Sequence, residues 1–177
     1  MDTISQTTSE ITRNADRQAG AWGAVLAMSL GAFALVASEF MPVSLLTPIA
    51  ADLHISEGQA GQAISVSGAF AVLTSLFISS LAKGINRKTL LLSLIGMMIV
   101  SGTVVSLAPN YIIFMFGRAM IGVVIGGFWS MSTATAMRLV EDHHVPRALA
   151  ILNGGNALAT VIAAPAGSFL GSLIGWR

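Results

Sequence analysis

Long apolar runs separated by short polar segments dominate the sequence. Five runs of about 20 residues or more each contain at most one formal charge, which is long enough to cross a hydrocarbon core of roughly 30 Å as a helix. The pattern therefore predicts an all-α integral membrane protein. The five transmembrane spans are expected at about residues 22–46, 62–82, 89–107, 112–137 and 148–174.

The composition supports this interpretation and excludes several other classes. Only 10% of the residues are charged and 54% are hydrophobic, whereas soluble domains carry about 25% charged residues. The sequence contains no cysteine, no basic patch typical of nucleic-acid binding, no phosphate-binding loop of an ATPase and no catalytic constellation. We therefore expect neither an enzyme nor a nucleic-acid partner.

The distribution of lysine and arginine predicts the orientation. With a cytoplasmic N-terminus, the two complete outer loops contain no Lys or Arg, and the basic residues of the inner segments are Arg13, Arg17, Lys83, Arg87, Lys88, Arg138 and Arg147. Residues 1–20 are polar and mixed in charge, and we expect a cytoplasmic tail that does not fold by itself. Residues 21–177 then form the transmembrane bundle.

Two charges of opposite sign lie inside the predicted spans. Glu39 lies about seven residues before the outer end of the first span, and Arg118 about seven residues after the outer start of the fourth, so both lie about 10 Å below the outer surface. A charge inside a span costs about 2.5–3.5 kcal/mol. We expect the two to face each other or one water-filled cavity. Such a pair is either a structural ion pair or a proton or substrate site, in which the carboxylate alternates between arginine and a proton.

The fourth span carries two further candidates on the same face. At 100° per residue, Gly122 and Trp129 fall within about 40° of the Arg118 direction. This face could form a substrate cavity in which Trp129 stacks on a planar ligand, although a membrane tryptophan can also serve simple packing.

Other motifs suggest close packing, a kink and a polar turn. Gly122-x-x-x-Gly126 and a Gly167, Gly171, Gly175 series are typical of close helix contacts, and their alternative is a sliding or gating role. Pro165 removes a backbone hydrogen bond in the middle of the fifth span, which predicts a kink or hinge. The run from Glu141 to His144 is expected to be a solvated turn, so no metal site is predicted.

These residues resemble the major facilitator superfamily, in its twelve-span drug:proton antiporter branch. Arg118-x-x-x-Gly122 is similar to the family motif Arg-x-x-Gln-Gly, whose arginine is implicated in proton coupling, with Ile121 in place of glutamine. The stretch from Ala164 to Gly167, with its central Pro165, is similar to the Gly-Pro antiporter motif, with Ala164 in place of the glycine.

A third family motif, the basic loop Gly-x-x-x-Asp-Arg-x-Gly-Arg-Arg between spans 2 and 3, is only partly matched. Arg87 and Lys88 fit its two terminal basic positions. The positions where the family has Gly, Asp, Arg and Gly are occupied by Ser79, Lys83, Gly84 and Asn86. The resemblance therefore does not extend to the usual cytoplasmic gate that this loop makes in the family.

Within the branch, the stretches SEFMPVSLLTPIAADLHISEGQAGQ, GRAMIGVVIGGFWSMS and APAGSFLGSLIGWR resemble bacterial purine ribonucleoside efflux pumps most. The resemblance implies a bacterial inner-membrane exporter of nucleosides such as inosine or guanosine, driven by the proton gradient without another cofactor. The alternatives are a drug or sugar exporter of the same branch, or a non-transporting structural or regulatory membrane protein.

The family fold has two six-span halves with the substrate bound between them. Five spans would form an incomplete six-helix N-terminal bundle, so we expect a fragment that is inactive without the missing C-terminal half. The expected partners are a small-molecule substrate, protons, membrane lipid and that missing half.

Overall fold

The computed structural model of the chain describes residues 2–82 and 84–177, so Lys83 of the predicted basic loop lies outside the described residues. Within these ranges the chain contains helices and no strand. The α-helices are, in chain order, α1 (Asp2–Phe40), α2 (Leu46–Asp52), α3 (Glu57–Leu81), α4 (Arg87–Ser106), α5 (Tyr111–Leu139) and α6 (Val145–Ile174). Two short 3₁₀ helices cover Met41–Leu45 and Asp142–His144.

Five of these segments are long and apolar enough to cross a membrane, which confirms the predicted fold class. They are Gln18–Asp52, Glu57–Ile78, Arg87–Ser106, Tyr111–Leu139 and Asp142–Ile174. The segment Gln18–Asp52 contains the end of α1, the 3₁₀ helix Met41–Leu45 and α2, and it corresponds to the first predicted span.

The first span differs from the expectation at both ends. The helix α1 begins at Asp2, although residues 1–20 were expected not to fold by themselves. Extending an existing helix adds one hydrogen bond per residue without the cost of nucleation, so the apolar span can carry a polar extension. At the other end the chain continues past Leu46 through α2, after a 3₁₀ helix that has Pro42 in its first turn.

Polar side chains in the loops begin the next helices. Ser56 and Gln59 form a capping box at the start of α3. Asn86 accepts a 2.9 Å hydrogen bond from the backbone N–H of Lys88 at the start of α4, and Asn110 accepts one of 3.0 Å from Ile113 at the start of α5. These caps satisfy backbone donors in the first turn of each helix and define where the helix begins.

The helix α5 is the centre of the bundle. Half of its most apolar window is buried, against 11–28% for the other four spans. A Cβ atom on Gly122 would lie 2.8 Å from the Cβ of Phe70 and closer still to the carbonyl oxygen of Ser67, so α3 approaches α5 at backbone distance.

The helices α1 and α6 run parallel in close contact. A Cβ atom on Gly155 would lie 2.6 Å from the Oγ of Ser29, and Ser29 donates a 2.7 Å hydrogen bond to the carbonyl of Ile151. Farther along, a Cβ atom on Gly167 would lie 2.6 Å from the Cγ of Met41. Met41 lies as many residues after Ser29 as Gly167 lies after Gly155. The register of α1 against α6 is therefore constant over this length.

Candidate functional site

The two charges inside the membrane-spanning helices form an ion pair. Arg118 of α5 donates from Nη2 to Oε2 of Glu39 on α1, at 2.7 Å. The two residues therefore face each other, which is one of the two arrangements that their positions in the sequence predict.

Three further groups hold the guanidinium of Arg118 in place. Its Nη2 donates to the Oγ of Ser67 at 3.2 Å, its Nη1 to the carbonyl of Ser38 at 3.3 Å, and its Nε to the carbonyl of Ala63 at 3.5 Å. The side chain is only 2% exposed. The arginine is therefore enclosed by α1 and α3 and keeps polar partners on both helices.

Ser67 on α3 completes the site. It is fully buried, and its Oγ lies 2.6 Å from Oε1 of Glu39 and 2.9 Å from the carbonyl oxygen of Ile64. A hydroxyl has one proton, so it donates to one of these acceptors at a time while it accepts from Arg118. Ser67 was not predicted as a site residue, because nothing in the sequence distinguishes it from the other small residues of the second span.

Glu39 is the accessible member of the pair. Its side chain is 15% exposed and lines a cavity of about 330 Å³. The residues that line this cavity are Leu35, Val36, Glu39, Phe40, Ile125, Trp129 and Asn156. A proton or a ligand that enters the cavity therefore meets the carboxylate and not the guanidinium.

Trp129 lines the same cavity, at a different depth. Trp129 follows Phe128, which packs against Gly31 of α1. Asn156 follows Gly155, which packs against Ser29 of α1. Trp129 and Asn156 therefore both lie near the level of residue 30 in α1. About nine residues of α1 separate this level from Glu39, which corresponds to roughly 13 Å. The cavity thus has an aromatic and amide end and a carboxylate end.

Gly122, which was predicted to share a substrate cavity with Trp129, does not line the cavity that Trp129 lines. It faces Ser67 and Phe70 on α3, where the backbones are too close for a side chain. Its physical role is to let α3 reach Arg118 and Glu39 with the hydroxyl of Ser67. The periodicity places Gly122 on the same face of α5 as Arg118, but it could not show that α3 covers this face.

The residues of the antiporter-like motif lie where α6 meets the irregular part of the first span. The helix α6 continues through Pro165 without a break. Gly167 packs against Met41 and Ser44 of the 3₁₀ helix, two residues that follow Glu39 closely. This segment of α6 therefore contacts residues that lie shortly after Glu39 in the first span.

The basic positions Arg87 and Lys88 form the first turn of α4. Asn86, which stands where the family motif has glycine, caps this helix, and Gly84 has a positive φ of 91°. The local sequence therefore forms a tight turn at Gly84, followed by the capped N-terminus of α4.

The polar turn before α6 brings three potential metal ligands together. Ligand atoms of Glu141, His143 and His144 lie within 4.8 Å of one another, and Glu141 and His143 are exposed. The ring of His144 packs edge-on against Trp22 at 5.5 Å. The absence of a bound metal here stays a prediction.

Residues 28–177 match the sequence profile of the Major Facilitator Superfamily. The chain belongs to the Major Facilitator Superfamily. It is 70% identical over 160 residues to the transcription regulatory protein OpdE of Pseudomonas aeruginosa, and 44% identical over 156 residues to the purine ribonucleoside efflux pump NepI of Salmonella typhimurium. These matches cover 90% and 88% of the chain, but only 40% and 39% of the relatives.

Membership of this superfamily confirms the resemblance predicted from the motifs. The superfamily and its efflux-pump members are transporters and not enzymes, in agreement with the expectation that the chain is not an enzyme. The chain spans about two fifths of the length of the relatives it matches. The activity of a whole superfamily member is therefore only proposed for it.

Proposed function

We propose that the chain forms the first five spans of a proton-coupled exporter of purine ribonucleosides, such as inosine and guanosine. The observation that carries the proposal is that the Glu39 carboxylate pairs with the buried Arg118 and also reaches the cavity lined by Trp129. One cavity thus contains a group that can take a proton and a ring that can stack on a base. The name of the NepI relatives supports the choice of substrate.

In this proposal Glu39 alternates between two partners. When it is ionised, it pairs with Arg118 and accepts from Ser67. When a proton from the outer side binds the carboxylate, the ion pair is lost, while Arg118 keeps its bonds to Ser67 and to the carbonyls of Ser38 and Ala63. Release of the proton to the cytoplasm restores the pair. Arg118 thus stays in place, and the first span, which carries Glu39, changes its contacts when the carboxylate is protonated.

The orientation and the partners belong to the same proposal. We place the N-terminus in the cytoplasm of a bacterial inner membrane, because the basic residues concentrate on that side. In the family fold the substrate binds between two bundles, so the cavity of this chain would face a second bundle of the complete protein. Membrane lipid covers the remaining apolar surface.

The direct test uses everted membrane vesicles from cells that express the complete gene product. A pH gradient, acidic inside, should drive uptake of labelled inosine, and a protonophore should abolish it. Vesicles with an unrelated antiporter provide the control for the gradient itself. Inosine uptake that equals that of the control vesicles would contradict the proposal.

A regulatory function is the second candidate, because the 70% identical relative is named a transcription regulatory protein. Under this alternative, deletion of the gene changes the transcription of other genes through the membrane protein itself. Reintroducing the Glu39→Gln variant, which is expected to lose proton-driven export, separates the two. Full restoration of the transcript pattern by that variant favours regulation, and restoration only by the transport-active protein favours export.

A further inference from the structure

The cavity has two polar side chains that differ in how they are engaged. Both carboxylate oxygens of Glu39 already have partners, Oε1 in Ser67 and Oε2 in Arg118. Asn156 lines the cavity from α6, and within the described parts of the chain its carboxamide makes no hydrogen bond. The amide of Asn156 is therefore available to a molecule in the cavity.

The contrast with Asn153 shows that this is a property of the position and not of the residue type. Asn153 lies one turn earlier on α6, and its Nδ2 donates a 2.9 Å hydrogen bond to the carbonyl of Leu149 in its own helix. The side chain of Asn156 makes no such bond, although the same acceptor type is available one turn away. A half-buried carboxamide, with one acceptor and two donors, is costly to leave unpaired beside apolar side chains.

Asn156 and Trp129 approach the cavity at the same depth from different helices. A flat ring and an amide are the two elements with which proteins recognise a planar heterocycle, because the ring stacks on the face and the amide bonds to the edge. The cavity volume of about 330 Å³ lies at the lower end of the range for ligand sites, which suits one small ring system.

We infer that Asn156 is the specificity-determining residue for the base, and that it reads an edge on which a hydrogen-bond donor and an acceptor are adjacent. The inference rests on the proposed export function. A 6-oxopurine presents such an edge, with O6 beside N1–H. The Nδ2 of Asn156 donates to O6 and its Oδ1 accepts from N1–H, so the amide forms two hydrogen bonds with a base that stacks on Trp129.

The test compares inosine with purine riboside, which lacks both the 6-oxo group and the N1 proton. In everted vesicles with the complete protein, the wild type should transport inosine with a lower KM than purine riboside. Asn156→Leu, which is similar in size, should reduce this preference about tenfold or abolish it, since two hydrogen bonds are lost. Asn153→Leu, on the same helix, should keep the wild-type preference.

A second variant keeps the inference testable if Asn156→Leu inserts poorly. Asn156→Asp presents two acceptors, which match the adjacent N1–H and 2-amino donors of guanosine. The ratio of guanosine to inosine transport should rise. Misfolding would lower the transport of both substrates and would not raise this ratio.

The outcomes distinguish failure of the role inferred for Asn156 from failure of the proposed export function. Unchanged substrate ratios in both Asn156 variants, with active nucleoside export by the wild type, would overturn the inference alone. A wild type that transports no nucleoside would overturn the proposed function and this inference with it. Loss of the preference in Asn156→Leu, together with the guanosine shift in Asn156→Asp, supports both.

Discussion

Arg118 donates a 2.7 Å hydrogen bond to Glu39, and the two side chains differ sharply in what else surrounds them. The guanidinium is 2% exposed and has three further polar partners, whereas the carboxylate is 15% exposed and has one, Ser67. Breaking the pair therefore leaves the arginine held by α1 and α3. The carboxylate is the group that becomes free to interact with the cavity.

Removal of the carboxylate should cost more than removal of its charge alone. Glu39→Ala leaves a buried guanidinium without a counter-charge, and we expect a loss of roughly 3 kcal/mol in unfolding free energy. Glu39→Gln keeps an oxygen that can accept from Arg118 and should lose less. Thermal unfolding of the purified protein in detergent measures both. The double variant Glu39→Ala/Arg118→Ala should be more stable than Glu39→Ala; an additive loss would contradict the charge argument.

The hydroxyl of Ser67 should contribute to both stability and transport. Ser67→Ala removes a donor to the carboxylate and an acceptor for the arginine, and a hydrogen bond to a charged group is worth about 1.5–3 kcal/mol. Ser65 lies on the same helix but is exposed, so Ser65→Ala is the matched control. Melting temperature and inosine transport are compared for the two variants. Equal behaviour of the two alanine variants would remove Ser67 from the site.

Close packing of α3 against α5 predicts a steric effect at Gly122. Alanine there would press on the backbone of Ser67, which cannot yield as a flexible side chain can, and overpacking costs about 1–3 kcal/mol. Gly102 of α4 has no atom within 4 Å of an added Cβ, so Gly102→Ala should be neutral or slightly stabilising. The amount of monodisperse protein after detergent extraction reports the difference, and a stable Gly122→Ala variant would contradict the packing.

An exposed ion pair and a hydrogen bond connect Arg177, which follows α6, to the end of α2 and to the turn after α4. Arg177 donates to Oδ2 of Asp52 at 2.6 and 2.9 Å and to the carbonyl of Ala108 at 3.0 Å. Both side chains are more than 40% exposed, so Asp52→Asn should lower the melting temperature only slightly, and less at high salt. Arg177→Ala should cost more, because the bond to Ala108 is lost as well. Equal effects of the two variants would show that the Ala108 contact contributes nothing.

The spans and the ion pair could be predicted from the sequence because few physical terms decide them. Length and hydropathy define a span, and two opposite charges at one depth in an apolar medium have to meet. The helical extension from Asp2 and the continuation past Leu46 were not predicted, since an apolar run marks the part of a helix inside the membrane and not where the helix ends.

The rest of the site depends on which face of each helix is covered, and a single sequence does not contain this information. Ser67 is chemically identical to Ser65, and only the packing of α3 on Gly122 brings its hydroxyl to Glu39. Asn156 and Asn153 likewise differ only in their position on α6. Trp129 lines the same cavity as Glu39, and its role in binding a substrate stays a prediction, whereas Gly122 is covered by α3.

Coupling of transport to protons by Glu39 is tested most directly by measuring inosine transport by the Glu39→Gln variant of the complete protein in everted vesicles. Two modes are compared: uphill uptake driven by a pH gradient, and exchange of inosine at equal concentrations without a gradient. We expect the variant to lose gradient-driven uptake and to retain exchange, because the cavity is intact and the proton site is lost. Gradient-driven uptake at the wild-type rate would show that Glu39 does not couple transport to protons.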